Sequence, residues 1–221
     1  DLPDENSKEA KATKRALSRT LNALARVATN SGDLDGAEEL FQETRKLRQE
    51  LVDSTPDPEE RFEFDRLLAS VDMNLGLLAR RRSNLDQAAT LYQDAQRLRN
   101  NTLPVRPKDP QLRRDLAKGW YNLANLAVDQ NDAEGVGSNV DQAIALLEEL
   151  LDETPDDLRD RYLLALCYRL KADLNAALIS VDNSKLTDAI DGYGKAKFAM
   201  LDLSGHSPAV HRYRVELGQL L

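Results

Sequence analysis

Leu24-Ala25-Arg26-Val27-Ala28-Thr29-Asn30-Ser31-Gly32-Asp33-Leu34-Asp35-Gly36-Ala37 and Leu75-Gly76-Leu77-Leu78-Ala79-Arg80-Arg81-Arg82-Ser83-Asn84-Leu85-Asp86-Gln87-Ala88 decide the fold of this chain. In each stretch a leucine precedes a small residue, a polar break follows, and an alanine stands twelve residues beyond the small one. The same phrase returns, less regularly, as Leu123-Ala124 with Ala143 and as Lys171-Ala172 with Ala189. The first two copies match at an offset of 51, pairing Leu34 with Leu85, Phe41 with Tyr92 and Pro56 with Pro107. Self-similarity at such a period predicts an all-α solenoid, a stack of helical hairpins whose neighbours bury one another's faces.

Each copy reads as two helices. Leu17, Leu21, Leu24, Ala25 and Ala28 recur at three and four residues, which is one helical face. Asn30, Ser31 and Gly32 break it, and Asp33 is placed to cap a second helix whose inner face is Ala37, Leu40, Phe41, Leu47 and Leu51. Thr55-Pro-Asp-Pro58 closes the hairpin, because proline cannot continue a helix but suits the first turn of the next. The expected organisation is one domain over 1–221, with repeats near 10–55, 56–106, 107–154 and 155–205 and a partial fifth copy or capping helix over 207–221. In the third copy Asn131 to Ser138 is expected to enlarge the turn by about seven residues, and in the fourth Val181 to Ser184 enlarges it again. Such turns are either tolerated insertions or binding loops. At the end, Leu217-Gly218-Gln219-Leu220-Leu221 restarts the first-helix pattern, and its apolar finish suits an array that continues better than a polar cap.

Composition narrows the function classes. A net charge of -8 argues against nucleic-acid binding, which needs clustered Lys and Arg over phosphates. Cys167 is the only cysteine, so no intrachain disulfide forms, and its apolar surroundings predict a small buried hydrophobe. No apolar run approaches the roughly 18 residues a membrane helix needs. The only histidines, His206 and His211, are five residues apart and share no helical face, so no metal is expected. Phosphate-loop, nucleophile-elbow and dinucleotide motifs are missing, and pairs such as Glu148-Glu149 and Asp156-Asp157 read as solvated helix faces. The sequence therefore predicts no enzyme activity and no cofactor.

With Leu-Ala or Leu-Gly on the first helix, alanine on the second, an aromatic four beyond it (Phe41, Tyr92, Tyr193) and proline between hairpins, the chain resembles the tetratricopeptide repeat family over residues 10–221. Trp120 and Tyr168 also stand where that family puts a first-helix aromatic. The resemblance implies a right-handed superhelix that binds other proteins. The chain departs from it in a period near 50 rather than about 34, and in Lys171 and Asn175 at sites usually apolar or small. Pro110 to Ala124, with Arg-Arg-Asp-Leu-Ala and then Tyr-Asn-Leu-Ala, is similar to repeat arrays attached to bacterial serine/threonine protein kinases, notably of planctomycetes. That likeness implies part of a larger signalling or scaffold protein.

First helices of such stacks line the concave surface. Arg19, Asn22 and Arg26 share one face by spacing, and Asn74, Lys118, Asn122 and Asn125 hold comparable polar sites. An asparagine offers a donor and an acceptor to a peptide backbone, while Arg and Lys receive carboxylates. In the family a Lys and Asn arrangement clamps a peptide's C-terminal carboxylate. Asn74 and Lys118 match it by position, Asn22 and Arg26 carry the pair in reverse order, and Asn122 stands where a cation is expected. The partner implied is an extended protein segment with an acidic or C-terminal carboxylate part. The alternative is an array that serves an attached kinase by self-association or packing, with no peptide in the groove.

Overall fold

Helix boundaries in the computed structural model follow the capping residues closely; it describes residues 7–207 and 209–220. Asp1, Pro208 and Leu221 lie outside the described residues. Among those described are nine α-helices and no strand: α1 (Lys8–Ser31), α2 (Leu34–Asp53), α3 (Pro58–Arg81), α4 (Leu85–Thr102), α5 (Pro110–Asp129), α6 (Ala133–Glu153), α7 (Leu158–Leu178), α8 (Lys185–His206) and α9 (His211–Gly218). A 3-10 turn, Leu103–Val105, follows α4.

Seven of the nine helix starts obey one rule, α8 and α9 being the exceptions. The side chains of Ser7, Asp33, Asp57, Asn84, Asp132 and Asp157 each accept a hydrogen bond from a backbone N–H in the first turn of the helix that follows. Asp109 does the same for the N–H of Leu112 at 2.7 Å. Every such cap satisfies a donor that the helix leaves orphaned, contributing about 1 kcal/mol.

Three of the turns within hairpins are one turn repeated. Gly32, Ser83 and Asn131 have φ of 88°, 59° and 57°, and each immediately precedes a capping Asp33, Asn84 or Asp132. The left-handed residue reverses the chain and the cap begins the next helix. This corrects the reading of Asn131 to Ser138 as an enlarged turn. Residues 133–138 are the first turns of α6, and Val136, buried like Ala37 and Ala88, stands at the twelve-residue spacing from Ala124. Ala143 had matched the pattern by identity, yet it lies two helical turns further along the same buried face. The fourth turn is enlarged, with six residues between the end of α7 and the start of α8. There Asp182 accepts from the backbone N–H and the hydroxyl of Ser184.

The chain divides into two compact units, one ending at Leu112 and one beginning at Arg113, so that the division falls inside α5. In the first, Ala25 and Ala37 let α1 and α2 approach closely, and Phe41, Leu68, Val71, Leu75 and Leu78 complete the core. Gly76 admits the ring of the fully buried Tyr92, whose carbons lie 2.5 Å from where a Cβ would stand. In the second, Ala117, Ala124, Val140, Ala143, Leu147, Leu150, Leu163 and Cys167 form one core. A further cluster of Ala165, Met200, Leu203 and Tyr213 seats α9, with the Tyr162 and Tyr213 rings 5.2 Å apart. Each unit is thus a set of antiparallel hairpins joined side by side.

Both cores carry charge that sequence reading left out. Arg48 is 2% exposed and donates to the carbonyl of Leu67, while Arg45 Nε meets Asp72 Oδ1 at 2.6 Å. Burial, then the neighbouring Arg19, lowers the Arg48 pKa to about 10. In the second unit Arg114 grips the buried Asp160 with two donors, one of them 2.6 Å from Oδ2, and reaches Asp157 at 2.8 Å. Arg113 pairs with Glu149 at 2.9 Å and Glu153 at 2.8 Å. These forked contacts fix how α5 meets α6 and the start of α7.

Candidate functional site

Of the seven polar residues picked out by spacing, four lie in the unit ending at Leu112 and three in the other. Asn22 on α1 and Asn74 on α3 come together: Asn74 Nδ2 donates to Asn22 Oδ1 at 3.1 Å, with both side chains half-buried. Arg81 strengthens the same seam by donating to the Thr29 carbonyl at 3.0 Å. Arg19 and Arg26 flank Asn22 on the exposed side of α1. Neither arginine has an ion-pair partner among the described residues. The result is an amide pair between two first helices, bordered by two exposed cations. On α5, Lys118 is exposed, and Asn122 and Asn125 are half-buried. Asn125 donates to the Tyr121 carbonyl one turn back in the same helix at 2.8 Å.

A second feature lies between α6, α7 and α8, where a cleft of about 630 Å³ opens. Its apolar lining comes from Ile144, Leu174 and Leu178. Paired charges occupy its sides. Lys171 meets Asp141 at 2.5 Å, the Tyr168 hydroxyl donates to Glu148 at 2.7 Å, and Lys195 meets Asp191 at 2.8 Å with its ammonium 5.6 Å from the Tyr168 ring. Lys185 approaches Asp188 at 3.4 Å. Asn175 lines the same cleft, 7% exposed, without a hydrogen-bond partner among the described residues. Sequence reading marked Lys171 and Asn175 as departures from the repeat pattern, and here they mark where two hairpins part. The α6 contribution was missed because Gly137 fell in the expected loop.

The phenols and the thiol of α7 and α8 are shifted upward. Burial pushes the Tyr168 phenol well above its ordinary value, and its hydrogen bond to Glu148 adds to this, so it remains a proton donor. Tyr193 is pushed up to about 12 by burial and by its 2.7 Å bond to Asp173. Burial alone raises the Cys167 thiol, which is the opposite of an activated nucleophile. Among the described residues no group of three His, Cys, Asp or Glu side chains converges as a metal site. Among the described residues no helix is long and apolar enough to cross a membrane.

The tetratricopeptide repeat family model matches residues 17–58, the first hairpin and the start of α3. No curated protein matches the sequence. Among solved structures, the chain is similar to Nro1, described as a hypoxic regulator of sterol synthesis and a nuclear import adaptor, with 12% identity and a TM-score of 0.53 over 97% of this chain and 83% of that one. It is also similar to BtubC from P. vanneervenii, with 15% identity and a TM-score of 0.49 over 96% and 86% of the two chains. A tetratricopeptide repeat protein of Thermus thermophilus follows at 17% identity and a TM-score of 0.43, covering 92% and 98%. At these identities the likeness to Nro1 speaks for the fold alone. Residues 17–58 match the tetratricopeptide repeat model, and each unit is an all-helical set of hairpins; repeats of that kind generally mediate protein–protein interaction.

Proposed function

We propose that this chain is a non-catalytic interaction module that holds an extended segment of a partner protein against the polar faces of its first helices. The carrying observation is the Asn22–Asn74 pair flanked by the exposed Arg19 and Arg26. An amide pair of this kind keeps further donor and acceptor capacity for a peptide backbone, and two cations beside it favour acidic side chains or a terminal carboxylate. Lys118, Asn122 and Asn125 give the second unit a comparable polar surface of its own. An attached kinase, as the sequence of Pro110 to Ala124 suggests, makes this the docking part of a signalling protein.

The test is titration of a fluorescein-labelled peptide, Ala-Glu-Ala-Asp-Ala-Glu with a free C-terminus, by fluorescence anisotropy. Arg19→Ala with Arg26→Ala should weaken binding about tenfold or more, and Lys118→Ala with Asn122→Ala should weaken it less. Unchanged binding in both variants, with helicity intact by circular dichroism, sinks the reading.

A second reading, self-association, is favoured by the outer face of α8. Ile190, Phe198 and Leu201 are exposed there, whereas α2 places Glu38, Lys46 and Gln49 at the equivalent positions. A sedimenting monomer up to about 100 µM, the range in which weak association shows itself, removes it.

A further inference from the structure

We propose that the cleft between α6, α7 and α8 is a second peptide site, separate from the first-helix polar face, and that it takes an extended strand carrying an apolar residue beside a basic one. The observation that carries it is Asn175. At the corresponding position α3 has Ala79, small and apolar like the pattern of the repeat, but α7 places a carboxamide there, nine-tenths buried and lining the cleft. Its amide atoms are not sealed off but open into the cleft, where a ligand's peptide bond can take the place of water on them. A carboxamide has one acceptor oxygen and one donor nitrogen, the pair that a peptide bond presents in reverse.

The surroundings specify the strand. Ile144, Leu174 and Leu178 offer an apolar seat a short distance from the amide, sized within the range of ordinary ligand sites. Around them stand four carboxylates, Asp141, Glu148, Asp188 and Asp191, against the three ammoniums of Lys171, Lys185 and Lys195. All seven are paired with one another or with Tyr168, so the cleft carries no strong field, and the excess is one negative charge. A Lys or Arg on the ligand can share Asp188 or Asp191, both more than half exposed, with the lysines that hold them now. An acidic ligand would face four carboxylates and gain no free cation. This preference is the opposite of that proposed for Arg19 and Arg26, so the two sites separate by ligand charge.

The experiment is NMR titration of the 15N-labelled full chain with the capped pentapeptide acetyl-Ala-Leu-Lys-Leu-Ala-amide, beside a control in which Glu replaces Lys. The expected result is saturable shifts of the Asn175 side-chain amide and of the Lys171 and Asp188 backbone amides with the Lys peptide, and at least about tenfold weaker binding of the Glu peptide. Asn175→Ala should weaken binding about tenfold, while Asn74→Ala should leave it unchanged. No shifts up to millimolar peptide overturn the proposal. So does a Glu peptide that binds as well, or an Asn74→Ala change that removes binding while Asn175→Ala does not. Asn175→Leu guards against a purely structural role. It should melt no lower than the wild type and fail to bind, and if it binds equally well the amide is not a recognition group.

Discussion

Between α2, α3 and α4 the repeat closes its own seam with charge, and between α6, α7 and α8 the equivalent seam stays open. In the first seam Arg45 on α2 pairs with Asp72 on α3, and Arg82 at the end of α3 reaches back to Asp35 and Glu38. Stepping along the sequence by the repeat, Ile144 and Tyr168 replace Arg45 and Asp72, while Gly137 and Leu178 replace Glu38 and Arg82. Both bridges are thereby lost, and the six-residue turn before α8 replaces a tight one. The buried charge of the second unit lies instead at the start of α7, where Arg114 holds Asp157 and Asp160. Lys171–Asp141 and Tyr168–Glu148 still join α6 to α7, so the open seam differs in where its pairs stand and in the longer turn beside it.

The largest expected effect comes from Arg114→Leu. It strands Asp160, fully buried, without its two charged donors, and should cost about 3–5 kcal/mol. A urea melt followed by circular dichroism should show it as a large fall in the midpoint, and a loss under about 1 kcal/mol would mean that the fork does not organise this end. Gly76→Ala comes next. A methyl there collides with the ring of the fully buried Tyr92, which must shift, for about 1–3 kcal/mol. Substituting Gly194→Ala on α8 should do the reverse, because a Cβ there meets nothing within 4 Å and alanine favours the helix by about 1 kcal/mol. Equal melting shifts for these two glycines would contradict the packing contrast.

Acid separates the units in a smaller way. Asp157 is held well below the usual carboxylate range, first by the Arg159 side chain, then through backbone N–H groups and Arg114 against the opposing effect of burial. Its stabilisation is present above an unfolded value near 3.9 and is lost as pH falls toward the folded value. Asp65 and Asp72 are raised by burial, which their arginine partners only partly offset. Their folded forms take up protons first, so this contribution favours the fold below the unfolded value and fades as pH rises through the folded one. Amide signals of α7 should therefore broaden at a higher pH than those of α3 when the chain is acidified toward pH 2, and the opposite order would refute the assignment.

Helices and their partners were legible because the first copy repeats at an offset of 51 and because Asx residues begin six of the nine helices. What escaped notice has physical causes. Val136 does the work of Ala37 without sharing its identity, so α6 started two turns early and the loop expected at Asn131 to Ser138 vanished. Arg48, Arg114 and Asp160 look like surface residues in a sequence, since their burial depends on partners more than 15 positions away. Asn22 and Asn74 were picked as comparable polar sites on first helices, and the structure adds that they bond to each other. The cleft was signalled only by the break in pattern at Lys171 and Asn175.

The chain has one tryptophan and one cysteine; Cys167 sits in the core of the unit that begins at Arg113, and Trp120 packs half-buried against that core. Indole emission and thiol labelling therefore watch only that half of the molecule. A thiol reagent should react only when α7 opens, which makes labelling a clock for that event. Neither probe lies in the half ending at Leu112, so following that half needs a label placed there.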